Sequence, residues 1–220
     1  GNLYTLIGDY SNAENSIKQY YFVASQEKNE SQKQAAVLNL SNVYQNTGRI
    51  DQAIELLEKT IQKEKLTNAQ KGLLYNNLGS NYFLNTRATK MKSYAFENAE
   101  KAFLKAVLLL EREPSQHEAL TNSYRNLCKL NLERKNKQMA LHYFEKAKHT
   151  FEKIPNPNPR KKAQFYFDEA NMLFKQREIT ASSLAIERVF KTLIPAYSSA
   201  KTVLPNQSAL YAETILLDVL

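Results

Sequence analysis

The stretch LYNNLGSNYFL, residues 74–84, read together with NAEKAFLKAV, residues 98–107, decides the fold through its spacing. Tyr75, Leu78, Gly79 and Tyr82 fall at i, i+3, i+4 and i+7, which is one face of an α-helix. Ala99, Phe103 and Ala106 mark a face of a second helix in the same way. A small residue followed four places later by a large apolar one lets two helices approach closely and fills the space beside the contact.

Both signatures recur. The second appears as Ala13/Ile17, Ala53/Leu57, Ala99/Phe103/Ala106 and Ala140/Phe144/Ala147, and more weakly as Ser182/Ile186/Val189. The first appears as Val37, Leu40 and Tyr44, then in the quoted stretch, then as Tyr124, Leu127 and Cys128. Gly8-Asp9-Tyr10 and Gly48-Arg49-Ile50 separate first helix from second with a residue that ends a helix in the left-handed conformation. A period of roughly forty residues means stacked units, because one helix pair cannot bury its apolar face alone. The expected fold is all-α: a right-handed solenoid of antiparallel helical hairpins. Its partial first repeat covers 1–30, its repeats about 31–65, 66–113, 114–154 and 155–198, and a partial helix 206–220.

At these residues the chain resembles the tetratricopeptide repeat, whose pattern is an aromatic, Leu-Gly, Tyr, a turn Gly, then Ala, Phe and Ala. Other copies depart from it: Lys135 and Arg177 stand where the turn Gly is expected, Asn131 replaces the Tyr, and about eight extra residues fall around Arg87 to Ser93. The period exceeds that family's usual one, as in arrays similar to kinesin light chain. The resemblance implies a superhelical array that binds a peptide or protein segment in its concave groove, and no cofactor.

Composition narrows the function classes. Of 220 residues 43% are hydrophobic, with 5 Gly, 6 Pro and 1 Cys. Disorder and a disulfide framework are both excluded on that basis, and the few glycines disfavour a phosphate-binding α/β domain. The longest apolar stretch, Ala102 to Leu110, is interrupted by Lys105 and too short to cross a bilayer. Net charge is +8, divided as +3 over residues 1–110 and +5 over 111–220, without a strong basic block. Nucleic acid is therefore disfavoured as a partner. Arg134-Lys135-Asn136-Lys137 and Arg160-Lys161-Lys162 are assigned to helix ends, where cations complement the dipole.

Catalytic and metal constellations are absent from the pattern. His117, His142 and His149 lack metal-ligand spacing and are expected at the surface or at its boundary with the core, and Cys128 sits at a small-residue core position, where burial is expected. The reading is of a fragment without enzymatic activity, placed in the cytoplasm.

The candidate binding surface is the face of the first helices not used in stacking. Asn39, Asn77 and Asn126 precede the core Leu in successive repeats, with Asp168 in the fifth copy; Asn42, Ser80, Lys129 and Asn171 follow three residues on, and Leu38, Asn76, Arg125 and Phe167 stand one residue before. An Asn side chain offers an acceptor and two donors, so a column of them can hold the backbone of an extended peptide. Arg125 and Lys129, one turn apart, would favour an acidic group nearby. Leu38 occupies the first Lys position of the carboxylate clamp used for chaperone C-termini, which excludes that mode. Phe83, Phe167 and Phe174 are candidate apolar groove residues.

The chain begins at Gly1 and ends at Leu220 inside an apolar run, so it reads as a piece of a longer protein. Its ending, LPNQSALYAETILLDVL, is similar to segments that join bacterial tetratricopeptide arrays to a CHAT domain, a caspase-like peptidase module. That likeness would make the array the partner-sensing arm of a peptidase. A basic, nucleic-acid-associated repeat module is the other alternative.

Overall fold

A computed structural model describes residues 1–63, 65–88 and 92–194, so the tail similarity and the helix expected at 206–220 lie outside the described residues. Among the described residues ten α-helices follow in order: α1 (Asn2–Leu6), α2 (Tyr10–Gln26), α3 (Glu30–Asn46), α4 (Ile50–Lys63), α5 (Asn68–Ala88), α6 (Lys92–Leu110), α7 (His117–Glu133), α8 (Lys137–Phe151), α9 (Pro159–Lys175) and α10 (Ile179–Leu193). No strand occurs among the described residues. The fold is all-helical, built from successive antiparallel pairs.

The turns explain the pairing. Gly8 and Gly48 have φ of +78° and +75°, and Lys135 and Arg177 adopt the same left-handed conformation at +60° and +68°. In each case the next residue's N–H reaches the carbonyl five residues back: Asp9 to Tyr4, Arg49 to Tyr44, Asn136 to Asn131 and Glu178 to Leu173, at 2.8–3.0 Å. This double-bonded helix ending satisfies carbonyls that would otherwise be orphaned. The turn therefore survives loss of its glycine, at the steric cost of a Cβ in that conformation. Asp9 and Asn136 then cap the next helix through bonds to the N–H groups of Asn12 and Met139. Thr67 and Gln70 form a reciprocal capping box at the start of α5.

Packing follows the repeated small residues. Ala13, Ala53, Ala99 and Ala140 are all fully buried, as are Leu57 and Phe103 four residues after two of them. Gly79 shows why close approach is needed: a Cβ there would stand 2.6 Å from the Phe103 ring. In the fifth copy Ser182 takes the Ala position and its buried hydroxyl donates to the Ala170 carbonyl at 2.9 Å. The core runs as linked clusters from the Ala13/Val43 region through Leu57/Leu74 to the large cluster around Phe103, Leu127 and Phe144.

The first helices are drawn together, α3 packing on α5 and α5 on α7, which puts them on the inner side of the stack. Between the fourth pair (α7, α8) and the fifth (α9, α10) the backbones stand further apart. Side chains bridge that junction: Phe144, Phe165 and Phe151 stack in a near-parallel column, with centroid separations of 5.5 and 4.5 Å. Pro155, Pro157 and Pro159 lie in or at the end of the connecting segment, Pro159 opening α9 behind the Asn158 cap.

Candidate functional site

The eight candidate residues all lie on first helices, α3, α5, α7 and α9, but they do not form one uniform ladder. The amide of Asn126 meets Asn76 rather than Asn77: its Nδ2 donates to Asn76 Oδ1 at 3.1 Å and lies 3.4 Å from Ser80 Oγ. The Ser123 hydroxyl approaches the same Asn76 oxygen at 3.1 Å. Asn77 instead donates to the Leu73 carbonyl of its own helix. The register is thus shifted by one residue between α5 and α7, and the central asparagines bond across the seam between repeats.

The basic pair is likewise answered from within. Arg125 donates through Nε (2.6 Å) and through its terminal nitrogen (2.5 Å) to Asp168 Oδ2, while Lys129 reaches Oδ1 at 3.1 Å. A second Arg125 nitrogen donates to Asn122 Oδ1 at 2.9 Å. The Asp168 side chain is only 8% exposed, against 44% for Lys129, so the carboxylate is a buried counter-ion and Lys129 retains access to solvent. Sequence reasoning placed Asp168 in the ladder without giving it this part. The available signal was opposite charge at nearly equivalent positions of adjacent repeats, 125 and 168.

Asn39, Asn42 and Asn171 make no side-chain hydrogen bond among the described residues, and Asn42 and Asn171 are exposed. Leu38 beside them is half-buried. Of the three candidate groove aromatics, Phe83 is half-buried against Phe96, Phe167 packs on the Val189/Phe190 cluster, and Phe174 is exposed.

Two cavities open along the seam of α7 and α9, and Arg125 lines both. One of about 380 Å³ is bounded by Asn122, Arg125, Phe151, Ile154, Arg160 and Gln164. The other, of about 220 Å³, is bounded by Phe83, Cys128, Lys129, Asp168, Asn171 and Lys175. The Arg125–Asp168 bridge stands between them. Cys128 is buried, and its thiol is pushed up to about 12 by burial first and the Asp168 charge second, which removes it as a nucleophile.

The three histidines border a separate cavity of about 580 Å³ with Glu111, Glu145 and Lys146, and among the described residues no group of three His, Cys, Asp or Glu side chains could hold a metal ion. No helix among those residues is long and apolar enough to cross a membrane.

These features define a helical-repeat class of protein. No family model matches the chain, and no curated protein matches it in sequence. Among solved structures it is similar to the crystal structure of BtubC (BKLC) from P. vanneervenii, with a TM-score of 0.66 and 20% identity, over 93% of this chain and 80% of that one. At that identity the likeness shows a shared helical fold.

Proposed function

We propose that this chain is a non-catalytic, cytoplasmic scaffold of the tetratricopeptide kind whose inner surface binds an extended segment of a partner protein. The observation that carries the reading is the division of labour among the groove amides. Asn76 and Asn126, with Ser80 and Ser123, spend their hydrogen bonds on each other and hold α5 against α7. Asn39, Asn42 and Asn171 leave theirs available for a partner. A groove stiffened by internal bonds loses less conformational freedom when a peptide docks, which favours affinity.

Charge selection narrows in the same way. Arg125 is taken up by Asp168, so an acidic group on the partner would meet the exposed Lys129, and Lys175 beside it in the second cavity.

Replacing Asn39 and Asn42 together by Ala tests the reading. Each lost hydrogen bond to a peptide backbone removes about 0.5–1.5 kcal/mol. The double variant should therefore bind peptides selected on the parent chain about five- to a hundredfold more weakly, with unchanged helical circular dichroism. Equal affinity for both proteins would refute it.

A further inference from the structure

The outer side of the first hairpin, α1 and α2, is apolar where the end of a helical stack is ordinarily polar. Counting from the left-handed turn residues Gly8, Gly48, Lys135 and Arg177 puts four hairpins in one register. Five residues before the turn stand Leu3, Val43, Leu130 and Met172; the last three are buried, and Leu3 is 71% exposed. Twelve residues after it stand Tyr20, Thr60, Ala147 and Val189; Ala147 and Val189 are fully buried, and Tyr20 is exposed. Because α1 begins beside Ile17, Tyr20 and Tyr21, a turn further along α2, lie beyond its reach.

The two residues just before the turn carry the decisive contrast. They are Asn46-Thr47, Glu133-Arg134 and Lys175-Gln176 in the later hairpins, but Leu6-Ile7 in the first. Asn46, Thr47, Glu133 and Lys175 are exposed although each of their hairpins has another packed before it. One more stacked hairpin would therefore leave these positions in water. Leu6 and Ile7 are 76% and 68% exposed, and burying them needs a cover of another kind.

Area and charge both fit a second copy of the chain. With about 200 Å² for a fully exposed large side chain, Leu3, Leu6, Ile7, Tyr20, Tyr21 and Phe22 present roughly 700 Å². That exceeds the largest apolar patch of an ordinary monomer, about 300–600 Å². Two such faces would bury roughly 1,400 Å², inside the range of about 1,200–2,000 Å² for specific interfaces. The chain carries a net charge of +8, which opposes self-association, but among residues 1–27 the only charged side chains are Asp9, Glu14, Lys18 and Glu27, and Lys18 bonds Glu14. Two copies meet with least repulsion at this end.

We propose that this end face joins two copies of the chain in a two-fold symmetric dimer, with Leu3, Leu6, Ile7, Tyr20, Tyr21 and Phe22 of one copy against the same face of the other. A self-complementary contact of this kind closes at two subunits. It uses neither Asn39 nor Asn42 and does not depend on peptide binding by the groove.

The test is sedimentation velocity with light scattering on the full 220-residue chain from about 1 to 500 μM. A reversible monomer–dimer equilibrium with Kd below about 100 μM is expected. Leu6→Asn with Ile7→Thr gives the first hairpin the residues of the second at this turn, so the helical circular dichroism should be unchanged while dimerisation weakens about tenfold or more. Phe22→Gln, at an exposed position where the second hairpin has Gln62, should weaken it about threefold or more. Ile179→Thr with Leu184→Gln, at exposed positions of α10, should leave it unchanged. A chain that stays monomeric at 500 μM overturns the proposal. So do a dimer that persists unaltered in the Leu6→Asn/Ile7→Thr and Phe22→Gln variants, a dimer lost through the α10 substitutions instead, and growth beyond two subunits.

Discussion

Asn81 sits at the α5 position that Val43 and Leu130 occupy in α3 and α7, three residues after the core Leu. It is fully buried; its Nδ2 donates to the Asn77 carbonyl, and its Oδ1 has no hydrogen-bond partner. An unsatisfied buried acceptor costs about 1–3 kcal/mol. Asn81→Leu, which restores the residue type of the equivalent position, should therefore raise unfolding free energy by about 1–2 kcal/mol, read from chemical denaturation; a destabilised variant would show that the amide has a structural duty. At the same scale the two tyrosines Tyr82 and Tyr124 donate to Glu58 and Glu111, and burial followed by those carboxylates pushes both phenols well above the ordinary tyrosine range. They act as neutral donors, Tyr82 tying α5 to α4 and Tyr124 tying α7 to the turn that ends α6, so aromatic positions read from sequence as filler also carry a directional bond.

Among the elements, α1 is five residues long and contains no buried residue, so α2 depends on what lies behind it. Ala13, Ile17 and Ala24 of α2 are buried, and Glu14 bonds Arg49 at 2.6 Å and Lys18 at 2.7 Å. The Arg49 guanidinium, and after it Lys18, hold the Glu14 carboxyl below its ordinary value of 4.5. A carboxyl whose value is lowered by folding stabilises the folded chain above its unfolded value, and that contribution disappears as pH falls through the folded value. At neutral pH Glu14→Gln should be less stable by about 0.5–1 kcal/mol, the range for a partly exposed pair. The difference between variant and parent should shrink to nothing as pH is lowered from about 4.5, measured by thermal melts across pH; a constant difference down to acid pH would show that the ion pair is not its source. The helix pairing itself was legible in the sequence because a left-handed turn followed by a capping residue is a local matter. Lys135 and Arg177 looked like departures from the pattern, yet the backbone closes the same way, since the bonds to the carbonyl five residues back need no glycine.

For the whole molecule, the weak point is the junction between the fourth and fifth pairs, where side chains rather than close backbones make the contact. Its polar half is the Arg125–Asp168–Lys129 cluster. Asp168→Asn would leave Arg125 and Lys129, one turn apart on α7, without the carboxylate that answers them from α9, and should lower stability by about 3 kcal/mol while exposing the neighbouring cavity. Cys128 borders that cavity and reports on it. Its thiol should resist alkylation at mildly alkaline pH in the folded parent and react measurably faster in Asp168→Asn; equal rates would mean that the seam stays closed without the bridge.

The sequence alone determined the all-helical character, the helix pairing, the burial of the recurrent alanines and the inert setting of Cys128. These follow from the spacing of side chains along one chain and the geometry of the α-helix, which are local. Only the tertiary structure decided that Asn126 bonds Asn76 rather than Asn77, that Asp168 neutralises Arg125, and that an aromatic-walled cavity opens beside Phe151. Each depends on the offset and separation of neighbouring repeats, set by the sum of packing contacts across the seam. A shift of one residue in that offset exchanges one amide partner for another while leaving every helix, and hence every sequence signature, unchanged.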